Sequence, residues 1–212
     1  MARSVGLSIE NVAVVGVEGE LAEVVRLAAM VEPGENMFRA DPHVIKRRVE
    51  STRRVVNVSV YRLWPDQIQI YAYPAEPVAL WNDGKSWSVV DGLGRQMTGL
   101  NAEQYALLPK LVGNGGDEAA PILAAALSQA PDLRQRLLIA TRIEDRRWDF
   151  TFDTGVTVRL PLDADLTDAV VRLAELQMQT RLLDRSIQSV DLRIAGKAFI
   201  QPAPPTNEPE AA

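Results

Sequence analysis

The sequence predicts an α+β fold in two domains, because the spacing of its apolar residues changes along the chain. In the first third, two segments with helical spacing lie among segments whose apolar residues alternate. Farther along, alternating segments predominate and only a few helical ones intervene. A stiff Pro-Ala-Glu-Pro junction at residues 74–77 separates the two parts. We therefore expect a small α+β domain over residues 6–74 and a mostly antiparallel β domain with flanking helices over residues 75–201.

Composition sets limits on what the chain can do. With 212 residues, 47% of them hydrophobic, it can bury a substantial core. Its net charge of -5 argues against nonspecific nucleic-acid binding, which needs a positive surface. The absence of cysteine rules out disulfides and thiolate metal sites. No apolar run reaches the roughly 18 residues that a membrane helix needs. Proline-rich residues 202–212 are expected to form a disordered tail.

The first domain should contain its elements in the order strand, helix, helix, strand, strand. Residues 7–15 are rich in valine and isoleucine, which is typical of a strand, and residues 21–28 show helical spacing. Asp41 followed by Pro42 predicts the start of a second helix, since aspartate caps helices and proline suits the first helical position. The two alternating segments that complete the domain occupy residues 56–60 and 68–72.

The second domain contains more strands than helices. The predicted strands occupy residues 78–81, 87–90, 95–98, 137–143, 148–152, 156–160, 188–194 and 197–200. The predicted helical segments occupy residues 102–111, 118–130 and 166–183. Alternation in residues 148–152 and 156–160, around a glycine turn, predicts a hairpin with one face in the core.

The alternating strand at residues 188–194 is the strongest candidate for a functional element. One face carries Val190, Leu192 and Ile194, and the other carries Ser189, Asp191 and Arg193. Sheet edges offer unpaired N–H and C=O groups to which another chain can bind. We therefore expect this strand to be a docking edge.

No catalytic, cofactor or metal site is predicted. The only histidine, His43, lies at a predicted helix start without a nucleophile pattern around it. Asp163 and Asp165 lack the frame of a calcium loop and are better explained as helix caps. Among the tryptophans, we expect Trp64 and Trp148 to pack in a core. We therefore predict a binding protein and not an enzyme.

Several short motifs resemble a known family when they are taken in order. Residues 34–41, Gly-Glu-Asn-Met-Phe-Arg-Ala-Asp, resemble the Gly-x-Asn-x-Phe-x-x-Asp connection of a POTRA domain. Residues 61–70, which contain Arg-Leu-Trp-Pro, resemble the Arg-x-Trp-Pro strand turn of such domains. Residues 76–81, 146–150, 155–161 and 190–193 are similar to segments of the FtsQ/DivIB family of bacterial division proteins. The likeness runs from about residue 7 to residue 201.

This resemblance implies a POTRA domain (βααββ) followed by a β domain, in a protein that spans the inner membrane once. The two domains would lie in the periplasm at the division septum, anchored through a membrane helix outside this chain. The implied role is a non-enzymatic divisome scaffold that links early and late division proteins. The implied partners are FtsB and FtsL, through which septal cell-wall synthesis is regulated, and the POTRA domain could bind FtsK-like or other division proteins.

The resemblance also implies which residues bind the partner. A late strand accepts an FtsB strand by β-augmentation, and this role falls on Val190, Asp191, Leu192, Arg193, Ile194, Ala195, Gly196 and Phe199. Arg147, with Arg146 as its neighbour, would pair with an acidic residue of FtsB. Leu176 matches an apolar position on the helix beside that edge. Because Ile194, Ala195 and Gln201 stand where relatives carry aromatic or hydroxyl residues, we expect the backbone to contribute more than the side chains.

Two other classes of function remain open at this point. POTRA domains also serve as chaperone modules of outer-membrane assembly and secretion systems. In those systems a β-barrel of many strands of roughly 10 residues should follow, whereas a proline-rich segment follows here. A hydrolase with an unrecognised site is the third alternative, and cell-wall turnover assays would distinguish it.

Overall fold

The computed structural model describes residues 7–204, which contain both helices and strands and thus confirm the α+β class. The chain divides into two compact units. The first unit comprises Met1–Glu76 with Met97–Gly99, and the second comprises Pro77–Gln96 with Leu100–Ala212.

The first unit has the predicted order of elements. These are β1 (Asn11–Val15), α1 (Gly19–Ala29), α2 (Pro42–Ser51), β2 (Val55–Leu63) and β3 (Gln67–Pro74). β3 is the central strand, parallel to β1 and antiparallel to β2. β1 is shorter than the predicted strand, because the residues before it bond to the connection between the helices, where Ile9 N–H donates to Glu35 O at 2.8 Å.

The second helix begins as its sequence predicts. The Asp41 carboxylate accepts the His43 N–H at 2.8 Å, and Pro42 is the first helical residue. This cap satisfies one of the backbone donors that a helix start leaves free. Ile45 and Val49 of α2 are consequently directed into a core that also holds the alternate residues of β2 and β3.

β2 is the longest edge strand of this sheet, and it is not regular. Its pairing with β3 shifts register between Val56 and Ser59, and Asn57 has a φ of +53°. Such a bulge leaves a residue unpaired and bends the strand.

Trp64 contradicts the expectation that it packs in the core, because 55% of it is exposed. It lies in the turn between β2 and β3, where a cis peptide bond joins it to Pro65. The helices α1 and α2 supply the residues that cover the apolar face of the strands, and this turn lies beyond that core.

The second unit contains eight strands and three α-helices within the described residues. Its strands are β4 (Pro77–Asn82), β5 (Trp87–Asp91), β6 (Lys110–Val112), β7 (Leu137–Ile143), β8 (Arg147–Phe152), β9 (Thr157–Leu162), β10 (Ile187–Asp191) and β11 (Phe199–Pro202). Its helices are α3 (Gly116–Ser128), α4 (Pro131–Arg136) and α5 (Leu166–Thr180). Short 3₁₀ turns occupy Ala102–Tyr105, Asp163–Asp165 and Leu182–Asp184.

All eight strands form one sheet in the order β11-β10-β9-β8-β7-β6-β4-β5. Four of its seven pairings are antiparallel, and β9–β10, β4–β6 and β6–β7 are parallel. The mostly antiparallel domain is confirmed, although the parallel pairings are not evident from the sequence. α3 and α5 cover one face, where Trp148, Phe150 and Phe152 are fully buried as predicted.

Several predicted elements in this unit differ from the structure, three of them in the middle of the chain or at the last helix. Residues 95–98 form no strand beyond a single bridge between Val90 and Gln96. Residues 102–111 form one 3₁₀ turn and then β6, not a helix. The last helix ends at Thr180 and not at residue 183, because Arg181 adopts a left-handed conformation with a φ of +48°.

The sheet extends into the segment that the sequence assigns to the tail. Pro202 is the last residue of β11, and the Ala203 N–H donates to Ser186 O at 3.0 Å. From residue 205 onward the predicted tail lies outside the described residues.

Candidate partner-binding edge

The strand predicted as the docking edge is not an edge. β10 pairs with β9 on one side, in parallel, and with β11 on the other, antiparallel. Its backbone groups are therefore used within the sheet, and a partner could add to β10 only by displacing β11. The free edge on this side of the sheet belongs to β11.

β10 also ends earlier than predicted, at Asp191. The Asp191 carboxylate accepts the Arg193 N–H at 3.0 Å and binds the Arg193 guanidinium with two nitrogens. This local ion pair, with the backbone bond beside it, turns the chain out of the strand and holds the pKa of Asp191 below its usual range. Leu192 is buried as predicted, whereas Ile194, expected on the same face, is exposed.

The residues after Arg193 form a turn that leads into β11. Lys197 N–H donates to Ile194 O at 3.1 Å, and Gly196 has a φ of +75°, which a side chain would disfavour. Ala195 and Gly196 thus lie in a connection and not in a strand. The backbones of these two residues were predicted to pair with an added strand, but neither residue belongs to a strand here.

β11 presents the features that a docking edge needs. All four of its residues, Phe199 to Pro202, are exposed. Phe199 is 54% and Ile200 is 50% exposed, so two large apolar side chains lie at the edge itself. Gln201 is fixed by the Ser189 hydroxyl, which donates to its Oε1 at 3.2 Å and is itself buried.

The direction of the backbone groups on β10 follows from one hydrogen bond. The Leu192 N–H donates to Arg159 O at 2.9 Å, toward β9. Backbone groups two residues apart along a strand point the same way, so those of Val190 also face β9. The groups of Ser189 and Asp191 consequently face β11.

This alternation identifies the free groups on β11. Gln201 and Phe199 are the partners of Ser189 and Asp191, so their N–H and C=O groups bond β10. Ile200, opposite Val190, directs its own N–H and C=O away from the sheet. Pro202 has no N–H to offer. Ile200 is therefore the one residue within β11 whose donor and acceptor are both open to an added strand.

A row of charged side chains crosses the open face of the sheet toward this edge. Asp149 pairs in register with Arg159, Arg159 with Asp191, and Asp191 with Phe199. Burial raises the pKa of Asp149, and the charges of Arg159, Arg147 and Arg193 partly oppose that rise. Alternating signs make the row largely self-neutralised. Neither Asp149 nor Arg159 was singled out from the sequence, since their pairing depends on strand order.

Arg147 and Arg146 lie at the same end of the sheet as Phe199. Arg147 begins β8, opposite Leu162 at the end of β9. Arg146 is exposed and bonds Glu144 at 2.6 Å, whereas Arg147 is half-buried and lies 3.7 Å from the same carboxylate. The Arg146 hydrogen bond, with the charges of both arginines, holds the pKa of Glu144 below its usual value. Both cations thus already share one acidic partner.

A partly buried ion pair holds the turn that carries these arginines. Arg142, on β7, binds the Asp163 carboxylate with both terminal nitrogens, one at 2.5 Å. It also donates to Asp145 O at 2.8 Å, in the turn before Arg146. Trp148 contributes twice, since its Nε1–H donates to Asp163 at 3.0 Å and Arg142 lies 4.8 Å above its ring.

Leu176 lies on the opposite side of the sheet from the charged row. It is partly buried on α5 and packs against the core that the helix covers. The structure therefore places the predicted apolar and basic contributors on different faces, with β11 at the margin between them. A partner in contact with both would have to pass around the edge.

A cleft of about 260 Å³ lies beside the turn that precedes β11. Its walls include the turn residues Leu192, Arg193, Ala195 and Gly196 on one side and residues at the start of α5 on the other. Asp165, Asp168 and Arg172 supply its charged groups. This is where the structure places Ala195 and Gly196, near the edge but not in its ladder.

Over residues 7–204, no three His, Asp or Glu side chains are grouped so that they could hold a metal ion. Within that same range, no helix combines the length and apolar character needed to cross a bilayer. His43 uses its backbone N–H in the start of α2.

A βααββ unit followed by a mostly antiparallel sheet domain defines a POTRA-containing protein. Comparison with known families agrees: residues 7–71 match the FtsQ-type POTRA domain. Residues 79–193 match the C-terminal region of cell division protein FtsQ/DivIB. The chain therefore belongs to the FtsQ/DivIB family of cell division proteins. β11 lies just beyond the matched region.

Curated relatives are similar over nearly the whole chain. Cell division protein FtsQ of Hirschia baltica is 37% identical over 195 residues, which are 91% of this chain and 67% of the relative. The FtsQ of Agrobacterium fabrum is 27% identical over 92% of this chain and 62% of its own length. That of Caulobacter vibrioides is 30% identical over 81% and 55%. The chain thus spans between about half and two thirds of these relatives.

Among solved structures, the major extracytoplasmic domain of DivIB from Geobacillus stearothermophilus is similar to half of this chain and 94% of that domain. Its identity is 14% and its TM-score is 0.37, which is too low to bear on the fold.

Proposed function

We propose that this chain is the periplasmic part of a non-enzymatic divisome scaffold that recruits FtsB- and FtsL-like proteins by strand addition to β11. Through them it links early and late division proteins and regulates septal cell-wall synthesis. The whole protein spans the inner membrane once and acts at the septum. Family membership supports the division role, and the absence of enzymatic activity in this proposal rests on that family as well.

The exposed edge of β11 is the observation that carries the binding mechanism. Ile200 has an outward donor and acceptor, and the Phe199 and Ile200 side chains offer apolar surface on both sides of the strand. An added strand gains backbone hydrogen bonds and buries both side chains. The edge is short, so side-chain contacts must supplement the few backbone bonds.

The basic residues at the same end of the sheet suit a second contact. Arg147 is half-buried beside the charged row, with Arg146 more exposed next to it. An acidic partner residue would compete there with Glu144 for both cations. Such pairs chiefly increase the rate and specificity of association. Leu176 contributes from the other face, by packing α5 against the core beneath the sheet.

For the POTRA unit we propose recruitment by FtsK-like or other early division proteins. A chaperone role in outer-membrane assembly is less well supported, because the POTRA match is of the FtsQ type.

Replacing Ile200 with proline tests the edge directly. Ile200→Pro removes an outward N–H that β10 does not use, so the sheet should stay intact. A proline at position 192 would not test the edge, because the Leu192 N–H donates to Arg159 O within the sheet. Ile200→Val is the matched control, since it keeps the donor and most of the apolar surface.

The measurement is a fluorescence anisotropy titration with a labelled peptide from the periplasmic part of the FtsB-like protein. A lost bond that leaves a buried acceptor unpaired costs about 1–3 kcal/mol. Ile200→Pro should therefore raise Kd by roughly 5- to 150-fold, at about 1.4 kcal/mol per factor of ten. Ile200→Val should bind almost as the unchanged chain does. Equal affinity of all three chains would refute strand addition at β11.

A further inference from the structure

Two exposed aromatic side chains of the first unit are not explained by its core or by the β11 edge. Phe38 is 62% and Trp64 is 55% exposed, and their ring centroids lie 5.4 Å apart at a tilt of 55°. They come from the two POTRA-like motifs, one between the helices and one in the β2–β3 turn. The fold therefore brings both motifs to one surface point, here called the aromatic patch (Phe38 and Trp64).

The aromatic patch is held rigidly by polar contacts beneath it. The Asn36 side chain accepts the Phe38 N–H at 2.9 Å, which fixes the loop. Arg62, two residues before Trp64, donates through Nε and Nη2 to Ala40 O at 3.0 and 2.8 Å, tying the strand to that loop. Exposed aromatic rings on a fixed support gain by transfer out of water and lose little entropy when they bind.

The chain enters the unit beside this patch. The Met37 N–H donates to Leu7 O at 2.7 Å, next in sequence to Phe38. Ser8 forms a bridge with Asn36. Leu7, the first described residue, therefore lies on the side of the aromatic patch.

We propose that the aromatic patch docks on the phospholipid bilayer, with both rings at the level of the headgroups. This rests on the proposed topology, in which a membrane-spanning segment precedes residue 7. Each residue between that segment and Leu7 adds at most about 3.5 Å of reach, so a short connection keeps the patch at the bilayer. Tryptophan and other aromatic rings favour the membrane–water interface, because one end is apolar and the other is polar.

The surroundings of the patch fit a lipid surface. Met30, which is 68% exposed, lines one cleft with Arg39, the residue after Phe38. An exposed arginine beside apolar side chains can reach lipid phosphates while its stem stays in the interface. Glu35 and Asp66 flank the same loop and turn, so anionic lipid should add little attraction. Apolar insertion dominates, and the tether makes a weak affinity sufficient by raising the local concentration.

The test attaches the full chain by its N-terminus to phosphatidylcholine vesicles whose acyl chains carry bromine, which quenches nearby tryptophans. The chain has four tryptophans, so Trp64→Phe and Trp87→Phe separate the source of any quenching. Interfacial aromatic groups sit roughly 5–10 Å deep, and the Trp64 emission should fall about twofold relative to unbrominated vesicles. Trp64→Phe should abolish that quenching, whereas Trp87→Phe should retain it.

Phe38→Ala should reduce the quenching of Trp64, and Leu107→Ala, which removes an exposed apolar side chain of the second unit, should leave it unchanged. Absence of Trp64 quenching would overturn the membrane proposal. The proposal would also be overturned if a photocrosslinking residue at position 38 captured a protein in cells and brominated lipid did not quench Trp64. The peptide titration at β11 is done in solution, so either proposal can fail without the other.

Discussion

Breaking the partly buried ion pair beneath the β7–β8 turn should destabilise the second unit. The Arg142 side chain is only 5% exposed, and Asp163 neutralises it. Asp163→Asn removes the negative charge and leaves a buried cation whose Nε already lacks a partner. Removing one member of a fully buried pair typically costs about 3–5 kcal/mol, and the partial exposure of Asp163 puts the expected cost at the lower end of that range. Trp148 could still donate to the new amide oxygen, so the loss would be mainly electrostatic.

Urea unfolding measures this loss. With a slope of about 2 kcal/mol per M, a cost of about 3 kcal/mol shifts the midpoint by roughly 1.5 M. Both residues of the pair lie within the second compact unit, so we expect the shift in the transition that reports that unit. Glu144→Gln is the matched control, because its pairs with Arg146 and Arg147 are exposed and screened by solvent, so the urea midpoint should move far less.

A double variant distinguishes the mechanism from simple loss of packing. Arg142→Leu combined with Asp163→Asn removes the buried cation as well, and should regain much of the lost stability. A midpoint for Asp163→Asn no lower than that of Glu144→Gln would refute the reasoning. So would a double variant that is as unstable as the sum of the two single changes.

Three further predictions concern the same region. Arg142 holds the pKa of Asp163 below its usual range. The stability that this pair contributes is therefore fully present above the unfolded pKa of about 3.9, and it is lost as the pH falls through the lower folded pKa. Acid titration by circular dichroism should therefore show a steeper loss of stability for the unchanged chain than for Asp163→Asn. In Gly113→Ala the new Cβ would lie 2.5 Å from Arg142 O, at a residue whose φ is +105°. This variant should lower the free energy of unfolding by more than about 1 kcal/mol. Gly84→Ala, whose Cβ would have no atom within 4 Å, should lower it less in the same urea unfolding experiment. Arg147→Glu should slow association with an FtsB-like peptide about tenfold at low salt, and a stopped-flow rate that is unchanged would exclude a role in steering.

The parts of the fold that the sequence predicts well are those with one buried face. Trp148, Phe150 and Phe152 alternate, and all three are buried as the pattern requires. The cap at Asp41 is equally local, since it depends only on Pro42 and the next N–H. Such features depend on a few consecutive residues, so they can be predicted without knowing which strands lie next to each other.

The candidate site was predicted less well, because its geometry depends on strand order. Alternation in Val190 and Leu192 shows that one face is buried, but it does not show whether a strand has neighbours on both edges. For that reason the edge was predicted at β10, whereas in the structure it lies at β11. Ser189 shows the same limit: it lies on the polar face of the pattern, yet Gln201 of the next strand covers it. β6, only three residues long and parallel to both neighbours, has no local pattern at all.

The bulge in β2 bears on how the chain behaves at high concentration. A flat nine-residue strand at the margin of a sheet is a template on which further copies could stack into fibrils. The left-handed backbone at Asn57 interrupts that template after its first two residues and skews the remainder of the strand. At high concentration the protein would thereby resist polymerising through its own POTRA sheet, whereas a regular β2 would favour insoluble assemblies.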